Sequence, residues 1–169
     1  MDDAASSTEA ASIAYLNSGQ DDRVYEFVDG QRILVSSKQH ELDYAQLEVS
    51  ISLMAVREAF VISSFHYWEK WARSLTNSNG RNDSFRVVKE RIERLYPIHE
   101  KLDQLNHLTS LLKHGSGAFR HARLLARERP DLFLRPPGLY GGWSLSLSGS
   151  NVDEAFKIVK RSGPQHEGS

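Results

Sequence analysis

The chain has 169 residues, 25% of them charged, with 21 basic side chains against 22 acidic ones and a formal net charge of −1. That length suits one domain with a single sizeable core, and the near balance of charge means that any nucleic acid or acidic membrane must be met by a local patch rather than by the whole-molecule field. The absence of cysteine excludes disulfides, thiolate metal sites and cysteine nucleophiles.

The opening run MDDAASSTEAAS is acidic and rich in small residues, without the basic start and apolar stretch of a secretion signal. Residues 1–20 carry too few large apolar side chains to offset the entropy of ordering and are expected to form a disordered arm. No apolar run approaches the roughly 20 residues that span a bilayer, so a soluble, cytoplasmic protein is expected, with no membrane partner. In RVYEFVDGQRILV, Asp29-Gly30 supplies the positive-φ pair of a two-residue turn, which predicts a β-hairpin over residues 23–35. Gln39 to Leu75 holds no Pro or Gly, and Leu47, Ile51, Met54, Val61, Phe65, Trp68 and Ala72 recur at helical spacing, which predicts one long helix. TNSNGRNDS breaks it, with Asp83 or Ser84 as the cap of a second helix whose stripe is Phe85, Val88, Ile92 and Leu95. A third helix is expected from Pro97 to His114, with Ile98, Leu102, Leu105, Leu108 and Leu112 inward. Gly115 then serves as the left-handed residue past a helix end, and Ser116 caps a fourth helix that Pro130 terminates. WSLSLS, residues 143–148, alternates like a strand, as a third strand or a neighbour of the hairpin. Val152, Ala155, Phe156 and Val159 mark a short last helix. The expected fold class is mainly α, a bundle of about four main helices with a small β addition, in one domain over residues 21–162 followed by a flexible tail, 163–169.

Asn106, Ser110 and His114 are spaced four apart on the third helix, so they stack along one side, with Lys113 beside them. Two cations on a last turn complement the partial negative charge of the helix end. The same pair is the candidate catalytic site, since histidine titrates near neutrality and serves as acid or base. Arg120, Arg123 and Arg127 share a face of the fourth helix and, with Lys113, His114, His121 and Arg129, make a basic zone opposed only by Glu128, the pattern that phosphate-backbone binding needs. Glu58 and Glu69 fall within or beside the apolar stripe of the long helix, where a carboxylate needs a partner. His107 and His114, seven apart, make a poor metal pair without nearby carboxylates, and no metal or cofactor is expected. A second row of apolar residues, Phe60, Tyr67 and Trp71, and the wider aromatic face Phe65, Tyr67, Trp68 and Trp71, are candidates for dimerisation or for docking a partner protein.

FHYWEKWAR on the long helix, LLKHGSG at the end of the third, and RPDLF after the fourth together resemble bacterial HEPN-like proteins over about residues 40–160. The most specific element is the KHG turn followed by L-x4-PDLF, Leu125 through Phe133. The resemblance implies a helical bundle that often dimerises, found in toxin–antitoxin or phage-defence settings, with many relatives acting as metal-independent ribonucleases. It implies a chain that binds RNA or a nucleotide phosphate; the alternative is a non-enzymatic interaction module of such a system. Ribonucleolytic HEPN domains carry an arginine four to six residues before their histidine. None precedes His114 at that spacing, and the matching pairs are Arg94–His99 and Arg161–His166.

Overall fold

The computed structural model describes residues 23–78, 83–138 and 142–165. The arm expected over residues 1–20 and His166 of the expected tail lie outside the described residues. Contacts divide the chain into two units, Met1–Leu53 and Met54–Ser169.

In the first unit, β1 (Arg23–Val28) pairs antiparallel with β2 (Gln31–Ser37). Asp29 and Gly30 both have positive φ, 51° and 78°, which matches the strand twist as a type I′ turn does. Arg32 lies 3.7 Å over the Tyr25 ring. The long helix α1 (Lys38–Leu75) begins in this unit. Leu47 and Ile51, expected in the core, are 55% and 61% exposed. A two-stranded hairpin offers too little surface to cover a helical stripe, so the apolar pattern runs further along the helix than burial does.

The second unit holds the remainder of α1 together with α2 (Phe85–Glu93), α3 (Leu102–His114), α4 (Phe119–Glu128), β3 (Phe133–Arg135), β4 (Ser144–Leu145) and α5 (Gly149–Lys160). The protein is mainly α with a small β addition. Val61, Phe65, Trp68 and Ala72 of α1 are buried with Val88 and Ile92 of α2, Leu102, Leu105, Leu108 and Leu111 of α3, Ala122 and Leu125 of α4, and Ala155 and Ile158 of α5. Phe65, Trp68 and Phe85 form one ring cluster with centroids 5.7–6.1 Å apart. The aromatic docking face therefore does not exist as one surface: Phe65 and Trp68 are core residues, 4% and 2% exposed. Trp71 packs on Tyr96 and Gly163, whereas Tyr67 stays 76% exposed. Core stripes also shift by a residue. Leu111 is buried where Leu112 was expected, Ile158 stands in for Phe156, and Leu95 is 60% exposed because its helix ends at Glu93.

Two helix starts and one strand pairing differ from expectation. α3 starts at Leu102 rather than at Pro97. His99 N–H goes to Ser162 Oγ at 3.1 Å while the His99 ring accepts from Lys101 N–H, which holds this segment outside the helix. Ser162 in turn donates to the Ile158 carbonyl, and its own carbonyl takes the Trp68 indole N–H. At the fourth helix, Gly115 has φ 50° as expected, but Gly115–Ala118 wind into a 3₁₀ turn, so α4 begins beyond Ser116 and that serine is no cap. Ser84 holds the N-cap position of α2 without a side-chain capping bond among the described residues, and Asp83 is engaged by Arg91 at 2.7 Å. Finally, the strand in WSLSLS pairs with β3, not with the hairpin. A capping box between Ser148 and Asn151 opens α5, and Arg57 donates to the Leu147 carbonyl at 2.9 Å.

Truncating Leu108 to Ala is expected to lower unfolding free energy by about 2 to 5 kcal/mol, because its side chain is 5% exposed among Leu125, Leu132 and Ile158. Equilibrium urea unfolding measures it. Thr109, 2% exposed, has a hydroxyl without a hydrogen-bond partner among the described residues. Thr109→Val keeps the shape and removes the orphaned group, so the same measurement should show a gain of about 1 kcal/mol; a loss would mean that the hydroxyl has a partner.

Candidate functional site

α3 and α4 are consecutive helices joined by the four-residue turn at Gly115, and they pack against each other. Their polar faces, with α2, enclose a cleft of about 490 Å³ lined by Asn106, His107, Arg120 and His121, with Lys89 and Asp103 on its wall. The helical period explains the gathering: Asp103, Asn106 and His107 are one turn apart on α3, while Arg120 and His121 stand in the first turn of α4. The two imidazoles meet edge to face, centroids 4.9 Å apart, with Nδ1 of His107 2.9 Å from Nδ1 of His121.

That distance is a hydrogen bond, and two nitrogens can form one only if one carries the proton and the other presents a lone pair. Burial pushes the His107 ring below the ordinary histidine value of 6.5, and the adjacent His121 and Arg120 push in the same direction. His121 is lowered by burial, by Arg120 and by His114. Near neutral pH the pair is therefore uncharged, with complementary tautomers. Among the described residues this is the one hydrogen bond given to either ring.

The charges around the pair largely cancel. Lys89 is held by Asp103 at 2.7 Å and Glu93 at 3.5 Å, and Arg86 by Glu90 at 2.8 Å. Arg120 has no ion-pair partner among the described residues and lines two hollows. One is the histidine cleft; the other, of about 310 Å³, is formed by Phe119, Arg120, Arg123, Leu124 and Arg127. Arg123 stands 6.0 Å from the Phe119 ring centroid.

The residues expected to form a site thus separate into groups. Arg120, Arg123 and Arg127 do share a face of α4 with an aromatic ring. Asn106 lines the histidine cleft, Ser110 is half-buried one turn on, and Lys113 and His114 are exposed at the end of α3. Glu69 is bound on its own helix by Arg73 at 2.8 Å, with His66 at 3.5 Å, instead of by a cation of α3 or α4. Glu58 is half-buried on α1. Arg129 belongs to a structural network, bonded to Asp131 and Glu154, and Lys101 shares Glu154. Of the matching Arg–His spacings, Arg94 is exposed at the end of α2 whereas the His99 ring is tied to Lys101 N–H; the Arg161 pair includes His166, outside the described residues. Sequence reading weighed His107 with His114 and discounted that pair, and placed His121 in the basic zone of the fourth helix without joining it to His107. The available signal was that both lie on the polar faces of consecutive helices joined by a short turn. Among the described residues no group of three or more His, Asp or Glu side chains is placed to hold a metal ion, and no helix is long and apolar enough to cross a membrane. No family model, curated protein or solved structure matches the chain.

Two histidines with lowered folded-state values stabilise the fold fully above about 6.5, and this contribution is lost as pH falls, because the unfolded chain binds the protons first. Stability should fall between pH 7 and 5 in the wild type and fall less in His121→Gln. Asp131 and Glu154, also held low by their cationic partners, lose their contribution in a separate window below about 4.5. Urea unfolding at half-unit pH steps resolves the two windows.

Proposed function

We propose that the chain is a HEPN-like helical domain that binds RNA, or the phosphate of a nucleotide, through the arginine face of α4. The observation that carries this reading is the set Arg120, Arg123 and Arg127, without ion-pair partners among the described residues, around a hollow that also presents Phe119. Guanidinium groups fork onto phosphate oxygens, and an aromatic ring among them gives a base a surface to stack on. Lys113, exposed just before the same turn, adds to the positive field at that end of the bundle. The likeness of the KHG turn and of L-x4-PDLF to HEPN-like proteins supports RNA over other polyanions, and supports the toxin–antitoxin or phage-defence setting of that group. Separation of Phe65 and Trp68 from Tyr67 weakens the alternative of an aromatic docking module.

Affinity for a single-stranded RNA should fall steeply as salt rises, because each neutralised phosphate releases counterion. Arg123→Ala should weaken binding and reduce the slope of log affinity against log salt by about 0.7. Wild-type protein that fails to bind RNA at low salt would remove the reading; an unchanged slope would remove Arg123 from the interface.

A further inference from the structure

We propose that the cleft between α2, α3 and α4 is a base-binding subsite that selects adenine from the RNA held by α4. This rests on the RNA-binding reading above and names the base that the neighbouring hollow takes. Phe85 and Leu124, both half-buried, give the cleft apolar surface for the faces of a planar ring, and its volume of about 490 Å³ lies in the range of small-molecule sites. Arg120 is exposed and lines both this cleft and the arginine hollow. A nucleotide can therefore leave its phosphate with Arg120 while its base enters the cleft.

The choice of base follows from the polar groups that line the cleft. Three of them are the carboxylates of Glu90, Glu93 and Asp103, and an ionised carboxylate only accepts hydrogen bonds. The cations beside them are already engaged: Arg86 is bound to Glu90, and Lys89 to both Glu93 and Asp103. The Asn106 carboxamide, by contrast, has no hydrogen-bond partner among the described residues. Uracil, cytosine and guanine would each bring a carbonyl oxygen in among these acceptors. Adenine brings none. Its edge sets an exocyclic amine beside a ring nitrogen, and a carboxamide meets both at once, its oxygen accepting from the amine and its N–H donating to the nitrogen. Asp103, one turn before Asn106 on α3, is a further acceptor that an amine satisfies and a carbonyl oxygen opposes.

The imidazole pair suits the same occupant. Burial and the adjacent Arg120 hold both rings below their ordinary value, so near neutral pH they add no charge to this wall. With the carboxylates of α2 and α3 opposite, the cleft favours an uncharged base over a second phosphate.

The test compares affinities of the full chain for short RNA strands at one salt concentration. A strand of uridines carrying one central adenosine should bind about 10-fold more tightly than the same strand with inosine at that place, which has a carbonyl oxygen instead of the amine. Uridine throughout should bind as weakly as the inosine strand. Asn106→Leu should remove the preference, whereas Arg123→Ala, outside the cleft, should weaken binding of all three strands and keep it. In the wild type, AMP should shift the ring signals of His107 and His121, and UMP at the same concentration should not, a readout that needs no variant to fold. RNA bound with equal affinity whatever the central base overturns the adenine subsite and leaves the α4 reading standing. AMP shifting the rings while no RNA binds leaves the adenine site standing and overturns the α4 reading; neither AMP nor RNA bound overturns both.

Discussion

A tryptophan at the centre of a core brings a polar atom with it, and the burial of that N–H without a partner costs about 1–3 kcal/mol. Trp68 meets this constraint by donating to the Ser162 carbonyl. The choice of partner organises much of the second unit. Ser162, 1% exposed, also holds the Ile158 carbonyl and His99 N–H through its hydroxyl. One residue therefore ties α1 to the end of α5 and to the segment before α3. Because His99 is anchored there, α3 begins three residues later, at Leu102, and the helical phase that carries His107 into the cleft is set from that point.

The distribution of ion pairs explains how a chain of net charge −1 presents a basic face. Carboxylates are drawn to cations elsewhere: Glu69 to Arg73, Asp83 to Arg91, Asp103 to Lys89, Glu154 to Lys101 and Arg129. Pairs of this kind add little stability when exposed, but they decide where uncompensated charge remains. Some of it remains on α4, where the single acid, Glu128, sits at the far end from Arg120.

Much of this architecture was legible in the amino-acid pattern. The Asp29-Gly30 turn, the length of α1, the buried run Val61–Phe65–Trp68–Ala72 and the positive φ of Gly115 follow from local rules, since glycine placement and helical periodicity act within a few residues. What was not legible depended on partners distant in the chain. The delayed start of α3 needs Ser162, more than sixty positions away. The pairing of β4 with β3 is a choice among strands that two or three residues cannot specify. Leu47 and Ile51 continue the apolar rhythm of a helix whose burial stops short of them. At the site, the face shared by Arg120, Arg123 and Arg127 was visible in their spacing, whereas the meeting of His107 and His121 required knowing how two helices cross.

The turn at Gly115–Ala118 governs that crossing through its length. Each residue of an α-helix advances the side-chain direction by about 100°, so an insertion of one residue in the turn would bring Arg120 to the position that His121 holds, and a deletion would bring Ala122. Composition within the turn is a looser requirement, since nothing lies within 4 Å of where a side chain at Gly117 would begin. A lineage carrying this pair could drift at Ser116 and Gly117, though not at Gly115, whose positive φ favours glycine, yet would be intolerant of gaps there, and an alignment that opened one at this turn would mark the members that had given up the imidazole contact.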